Sequence, residues 1–290
     1  MVIPAFDVGY CLPAVLDALA AQTFAAEVIV VDDASTDHTA DIARAHPVVA
    51  RVVRLPERLG AATARNIGTV ATSGNTIVFL DADMVLPPHV IADLAVRACD
   101  DVVLVGFRHN ITYGAEPLPG TPDLYADHRV RWRPPVGQPL MYSGLVLDRP
   151  IEGHPLDETR DLVDLGYGRM YYDWDLPRMV VTALMAAPRH AVIDIGGFDP
   201  EFGRLGWGME DTHLGAKLIA TGLYVVPVRQ ATGFHLDPPN ADALWRTKLA
   251  TWPATLHHYR SLLQAPMPRR AVAEFMAVTH RLLSRSEVFR

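Results

Sequence analysis

Glu27-Val-Ile-Val-Val-Asp-Asp-Ala-Ser-Thr-Asp37 is a β-branched run that stops at two acids and passes into capping-type residues. The run Glu27–Val31 is too short for a helix and shows no alternation, so it reads as a strand buried on both faces. Ser35 or Thr36 is placed to cap a helix over Thr39–Ala45, with Asp37 in its first turn. Working outward, Val2-Ile3 is an apolar run stopped by Pro4, and Leu12–Leu19 carries apolar residues at helical spacing. Val49–Leu55 reads as a strand and Ala61–Val70 as a helix. Thr76-Ile-Val-Phe-Leu80 is a further strand that runs into Asp81-Ala82-Asp83. A helix over Pro88–Cys99 and a strand over Asp101–Gly106 complete this part. Strand–helix alternation with short connections predicts an α/β fold, a mainly parallel central sheet flanked by helices. Such sheets bind ligands outside the carboxyl ends of their strands. Pro4-Ala5-Phe6-Asp7, Asp32-Asp33 and Asp81-Ala82-Asp83 all fall at those ends.

Composition narrows the function classes. Of 290 residues half are hydrophobic, enough for a large core and against disorder as the dominant state. The net charge of -7 argues against a nucleic-acid partner, which needs clustered Lys and Arg. Cys11 and Cys99 are the only cysteines, which excludes a disulfide framework, and both read as small core residues. No stretch approaches the roughly 20 apolar residues needed to span a bilayer, and Met1–Asp7 lacks a signal-peptide pattern. A soluble, cytoplasmic protein is expected.

Asp81 and Asp83 alternate to one side of their strand end, where two carboxylates repel unless a cation or donors offset them. Hard oxygen ligands suit Mg²⁺ or Mn²⁺, which take further ligands from substrate phosphates. Taken alone, D-x-D fits a solvated capping turn as well; the strand before it and Asp32-Asp33 beside it decide for a site. Arg58–Gly68 lacks the dinucleotide and P-loop glycine spacings. Its small residues allow a phosphate to approach a helix N-terminus. Arg65 either forks onto a pyrophosphate, holds the Asp residues in place, or lies on the surface of a close-packed helix.

Val2-Ile-Pro-Ala-Phe6, Val30-Val-Asp-Asp-Ala-Ser-Thr-Asp37, Ala64-Arg-Asn-Ile-Gly68 and Phe79-Leu-Asp-Ala-Asp83, in that order, resemble the nucleotide-binding half of family 2 glycosyltransferases. The resemblance implies the GT-A fold, a UDP-sugar or similar donor and a divalent cation. It places Pro4, Ala5, Phe6, Asp7 and Asp33 along the nucleotide. Arg65, Asp81 and Ala82 fall toward the ribose and donor sugar, and Asp83 on the metal.

Phe107–Tyr172 loses periodicity and is rich in Pro, Gly, Tyr and Arg, including Arg131-Trp-Arg-Pro-Pro135 and Tyr167-Gly-Arg-Met-Tyr-Tyr-Asp-Trp174. It reads as a substrate-facing excursion. Beyond it come Ile195–Phe202, the glycine-flanked turn Gly206-Trp-Gly-Met-Glu-Asp211, a helix over Thr212–Thr221, a strand over Leu223–Val228, and Thr232-Gly-Phe-His235. Glu210 and Asp211 sit near a helix N-terminus, where the dipole favours ionised acids. A carboxylate there is able to take a hydroxyl proton, or to serve only as a first-turn cap. The turn resembles the W-G-x-E-D segment of galactosyltransferases and chondroitin-polymerase-type enzymes. That resemblance makes Asp211 the catalytic base, puts Trp207, Gly208 and Glu210 on the acceptor, and completes the metal site with His235. Met209 departs from the glycine common there, which points to an altered acceptor fit. His257-His258 reads as surface.

The sequence thus predicts a nucleotide half at 1–106, an acceptor half at 107–240 of the same domain, and a helical extension at 241–290. Arg269–Leu283 has apolar residues at helical spacing, suited to docking on the body or on a second copy as a homodimer. The expected activity is metal-dependent inverting transfer of a hexosyl or N-acetylhexosaminyl group to an acceptor hydroxyl. A retaining transferase on the same fold and a non-catalytic sugar-nucleotide-binding protein are the alternatives.

Overall fold

The computed structural model describes residues 1–115, 118, 120–131, 145–146, 149–150, 179–264 and 271–289. Arg131-Trp-Arg-Pro-Pro135, beyond its first residue, and Tyr167–Trp174 lie outside the described residues. Strands β1 (Val2–Ala5), β2 (Val28–Asp32), β3 (Val49–Arg54) and β4 (Thr76–Leu80) run parallel, joined through helices α1 (Leu12–Ala20), α2 (Thr39–Ala45) and α3 (Ala61–Ala71). β2 is buried along its whole length, as its unbroken β-branched run requires. α1 buries Leu12, Val15, Leu16 and Leu19, the apolar positions of its helical pattern. Neither Ser35 nor Thr36 caps α2: its N-cap is His38, without a side-chain cap bond, Asp37 Oδ1 accepts from Thr39 N at 2.9 Å, and Ser35 Oγ accepts from Asp7 N.

After β5 (Met84–Val85) and a short α4 (Val90–Ala95), β6 spans Val102–Ile111. It runs past Gly106, where Leu184 and the Ala231 carbonyl leave no room for a Cβ, so that glycine marks a close approach and not a strand end. A 3₁₀ turn (Leu124–Ala126), α5 (His128–Arg131) and the antiparallel pair β7 (Leu145–Val146) and β8 (Arg149–Pro150) follow. β9 (Leu184–Pro188) then inserts antiparallel between β4 and β6. Beyond it lie α6 (Arg189–Asp194), α7 (Glu201–Leu205), α8 (Glu210–Ala220), β10 (Tyr224–Leu236), α9 (Ala241–Gln264), α10 (Ala271–Leu283) and β11 (Glu287–Phe289). The sheet order is β11-β3-β2-β1-β4-β9-β6-β10-β5. β10 is one strand with a register shift between Pro227 and Thr232, where Pro227 donates no ladder bond.

α10 packs on α3 with Phe275 buried, so this chain covers the apolar stripe that the sequence left open to a partner. Cys11 is buried but Cys99 is exposed, a correction to its reading as core. His258 is also not a plain surface residue: it is half-buried, and its Nε2 lies 2.9 Å from Asp199 Oδ2. Among the described residues no helix is long and apolar enough to cross a membrane.

Candidate active site

The loops after β1 and β2 are latched together. Asp7, at φ 50, accepts from Thr36 N at 2.7 Å, and Asp33 N donates to the Ala5 carbonyl at 2.8 Å. Asp33 is buried and holds the start of α3, accepting from Leu59 N at 2.6 Å and Gly60 N at 2.8 Å. Burial still pushes its carboxyl above the ordinary range against those bonds. The Arg58 guanidinium lies 3.9 Å over the Phe6 ring, and Pro4 and Ala5 lie beside them in β1. Pro4, Ala5, Phe6, Asp7 and Asp33 thus share the carboxyl ends of β1 and β2.

The second group surrounds Arg65, which is buried in α3 and not on its surface. Its guanidinium donates to Asp81 Oδ1 at 2.8 Å and stands 3.5 Å from Asp211 Oδ1 and 3.8 Å from Glu210 Oε1. It therefore holds acids in place. Burial pushes Asp81 up, but the charges of Arg65 and His235 outweigh it and leave the carboxyl below its usual value. Ala82, between the two acids, is buried and accepts from Cys11 Sγ.

Asp83 meets His235 because β5 pairs antiparallel with β10 in the register His235↔Met84. Leu236 N donates to the Asp83 carbonyl at 2.8 Å, and His235 Nε2 lies 3.4 Å from Asp83 Oδ1. One ligand atom each of Asp81, Asp83 and His235 lies within 4.8 Å of the others. Asp83 Oδ1 and His235 Nδ1 are buried without hydrogen-bond partners among the described residues, as are Arg65 Nε and Nη1 and Glu210 Oε2. Orphaned polar atoms gathered at one place indicate groups arranged for a ligand. Burial, opposed by His235, pushes Asp83 up, and Asp81 adds to the rise. Four carboxylates against one buried guanidinium, with an imidazole alongside, suit a hard divalent cation.

The turn before α8 places the last two acids. Gly206 and Gly208 have φ of 133 and 101, a region open to glycine, and Met209 shares the left-handed geometry at φ 74. Met209 is buried in the core, so its departure from glycine is felt as backbone strain and not as bulk against an acceptor. Asp211 accepts from Thr182 Oγ1 at 2.6 Å and from Thr182 N at 3.3 Å. Glu210 departs from the helix-dipole expectation. Burial first, and then the charge of Asp211, push its carboxyl up to about 7.

Thr182 and Asn66 were not singled out from the sequence. Asn66 exchanges hydrogen bonds with Phe198, donating to its carbonyl at 2.8 Å and accepting from its N–H at 2.7 Å, which ties α3 to the Gly196–Phe198 turn. Its place beside Arg65 in Ala64–Gly68 was the available signal; nothing marks Thr182. A separate cavity of about 280 Å³ lies between α3, α8 and α10, lined by Asn66, Phe198, His213, Lys217 and Phe275 among others. None of Asp81, Asp83, Glu210, Asp211 or His235 lines it.

Residues 1–138 match the family described as Glycosyl transferase family 2, and residues 169–236 match the N-terminal domain of galactosyltransferase. Residues 1–138 are thus a family 2 glycosyltransferase domain. The chain is 32% identical over 246 residues to the validoxylamine A glucosyltransferase of Streptomyces hygroscopicus subsp. jinggangensis (strain 5008), across 81% of this chain and 54% of that protein. It spans about half the length of that relative. Its fold is similar to that of S. aureus TarS (residues 1–349) in complex with UDP-GlcNAc (TM-score 0.56, 15% identity, 95% of this chain and 70% of that one). It is similar also to the mannosyltransferase PcManGT of Pyrobaculum calidifontis in complex with GDP-Man and Mn2+ (TM-score 0.54, 21% identity, 97% and 69%). The mainly parallel sheet with its inserted β9 is the GT-A fold of these transferases.

Proposed function

We propose that the enzyme transfers a sugar from a UDP-sugar to an acceptor hydroxyl with inversion, Asp211 serving as the base. The observation that carries this reading is the Asp211 carboxylate itself. Two donors of Thr182 orient it at the N-terminus of α8, 3.5 Å from Arg65 and across that guanidinium from Asp81. The acceptor oxygen attacks the anomeric carbon as its proton passes to Asp211. The bond from that carbon to the diphosphate oxygen breaks, and UDP leaves from the opposite face. Holding the partners in line supplies much of the acceleration. Pro4, Ala5, Phe6, Asp7 and Asp33 line the nucleotide, Arg65, Asp81 and Ala82 face its ribose and sugar, and Trp207, Gly208 and Glu210 border the acceptor.

Asp83 and His235, with Asp81 beside them, fit a divalent cation, and their orphaned Asp83 Oδ1 and His235 Nδ1 support this. A mixed oxygen and imidazole set favours Mn²⁺ over Mg²⁺. Such an ion, when bound, supplies the positive charge that a diphosphate leaving group needs. The named activity of the relative makes UDP-glucose the first donor to test, with validoxylamine A as one acceptor. NMR of the product decides the mechanism: a β-linkage from the α-linked donor is expected, and a retained α-linkage overturns inversion. Thermal shift by UDP-glucose is expected to be larger with Mn²⁺ than with EDTA.

A further inference from the structure

Trp207 is the aromatic residue that the family resemblance sets against sugar, yet α9 boxes in its ring. Trp245 lies 5.4 Å from it, edge to face at 65°, and Trp252 lies tilted at 5.8 Å. The Lys248 ammonium stands 5.2 Å from the ring centroid. The indole offered to solvent is that of Trp245, which is 51% exposed and flanked by the exposed Leu244 and Leu249.

α9 is built into the turn that precedes Asp211. Thr251 Oγ1 accepts from Trp207 N at 3.1 Å, and Thr255 Oγ1 donates to the Trp207 carbonyl at 3.2 Å. A Cβ on Gly206 would run into Thr251, and one on Gly208 would lie 2.9 Å from the Trp252 ring. The bonds that fix the turn therefore also fix Trp245 relative to Asp211.

We infer that Trp245 is a second wall of the acceptor site, taking the C–H face of a pyranose or cyclitol ring adjacent to the ring whose hydroxyl attacks. The assignment rests on the proposed glycosyl transfer at Asp211. Axial C–H groups of such rings carry partial positive charge and are apolar, which matches the negative face of an indole. Covering this indole and its leucine flanks removes apolar surface from water, and the patch is continuous with the acceptor turn. Lys248, half-buried between Trp207 and solvent, is placed to donate to the hydroxyls of the same ring.

The test uses glucose and cellobiose as one-ring and two-ring probes, with enzyme holding UDP and Mn²⁺ for ligand-observed NMR and with UDP-glucose for turnover. Wild type is expected to bind cellobiose more tightly and to show the lower KM with it. Trp245→Ala is expected to weaken cellobiose roughly tenfold and glucose little, and Trp245→Phe to restore most of the difference. Both variants are expected to keep the wild-type melting temperature, which shows that they are folded. Absence of any one-ring to two-ring difference in wild type, or a difference that survives Trp245→Ala, overturns the inference. Absence of donor turnover in wild type overturns the glycosyl-transfer reading instead.

Discussion

Replacing Glu210 by Gln tests the electrostatics of the site through stability alone. The Glu210 carboxyl is lifted from 4.5 to about 7, by burial first and by Asp211 second. A carboxyl with a raised folded-state value contributes stability that is fully present below pH 4.5 and is lost as the pH rises through about 7. The full loss is on the order of 3 kcal/mol for this shift. Gln lacks this titration. Its amide leaves the same orphaned position beside Arg65, a cost that does not change with pH. The expected result is therefore a slope. Relative to wild type, Glu210→Gln gains stability between pH 5 and pH 8, by up to about 5 °C in melting temperature for a chain of this size. Differential scanning fluorimetry in EDTA across that range, checked by urea unfolding at both ends, measures it. A constant difference between the two proteins, or a relative loss toward pH 8, would refute the assignment of a raised, buried Glu210.

Two other substitutions probe how the site is held. Arg65→Met removes the guanidinium that offsets Asp81, Glu210 and Asp211, and is expected to cost about 3–5 kcal/mol in denaturant unfolding, as for other broken buried ion pairs. Gly208→Ala places a Cβ 2.9 Å from the Trp252 ring at φ 101. A loss of about 2 kcal/mol and a raised acceptor KM are expected, with UDP affinity retained.

The parallel half of the fold is legible in the sequence because β2, β3 and β4 are rich in β-branched residues and α1 buries its predicted stripe. β9 is not legible: Leu184-Met-Ala-Ala-Pro188 has no β-branched residue and ends in proline, and becomes a strand only because β4 and β6 flank it. β11, at three residues, owes its existence to the edge of β3. In the site, residue types and order point to Asp33, Asp81 and Asp83, which strand ends bring to one side, whereas His235 and Asp211 are reached only through the family resemblance. What Arg65 binds depends on three elements far apart in sequence, and Thr182 orients Asp211 from a segment with no motif. The raised carboxyl of Glu210 follows from burial first and from Asp211 second, and helix-dipole reasoning on an exposed terminus includes neither.

The central claim is that Asp211 removes the acceptor proton. The direct measurement is transfer by Asp211→Asn from UDP-glucose, with UDP binding followed in parallel. Asn still accepts from Thr182 but cannot take a proton. A fall in transfer of at least about a hundredfold is expected, with UDP affinity retained. Transfer at the wild-type rate by Asp211→Asn would contradict it.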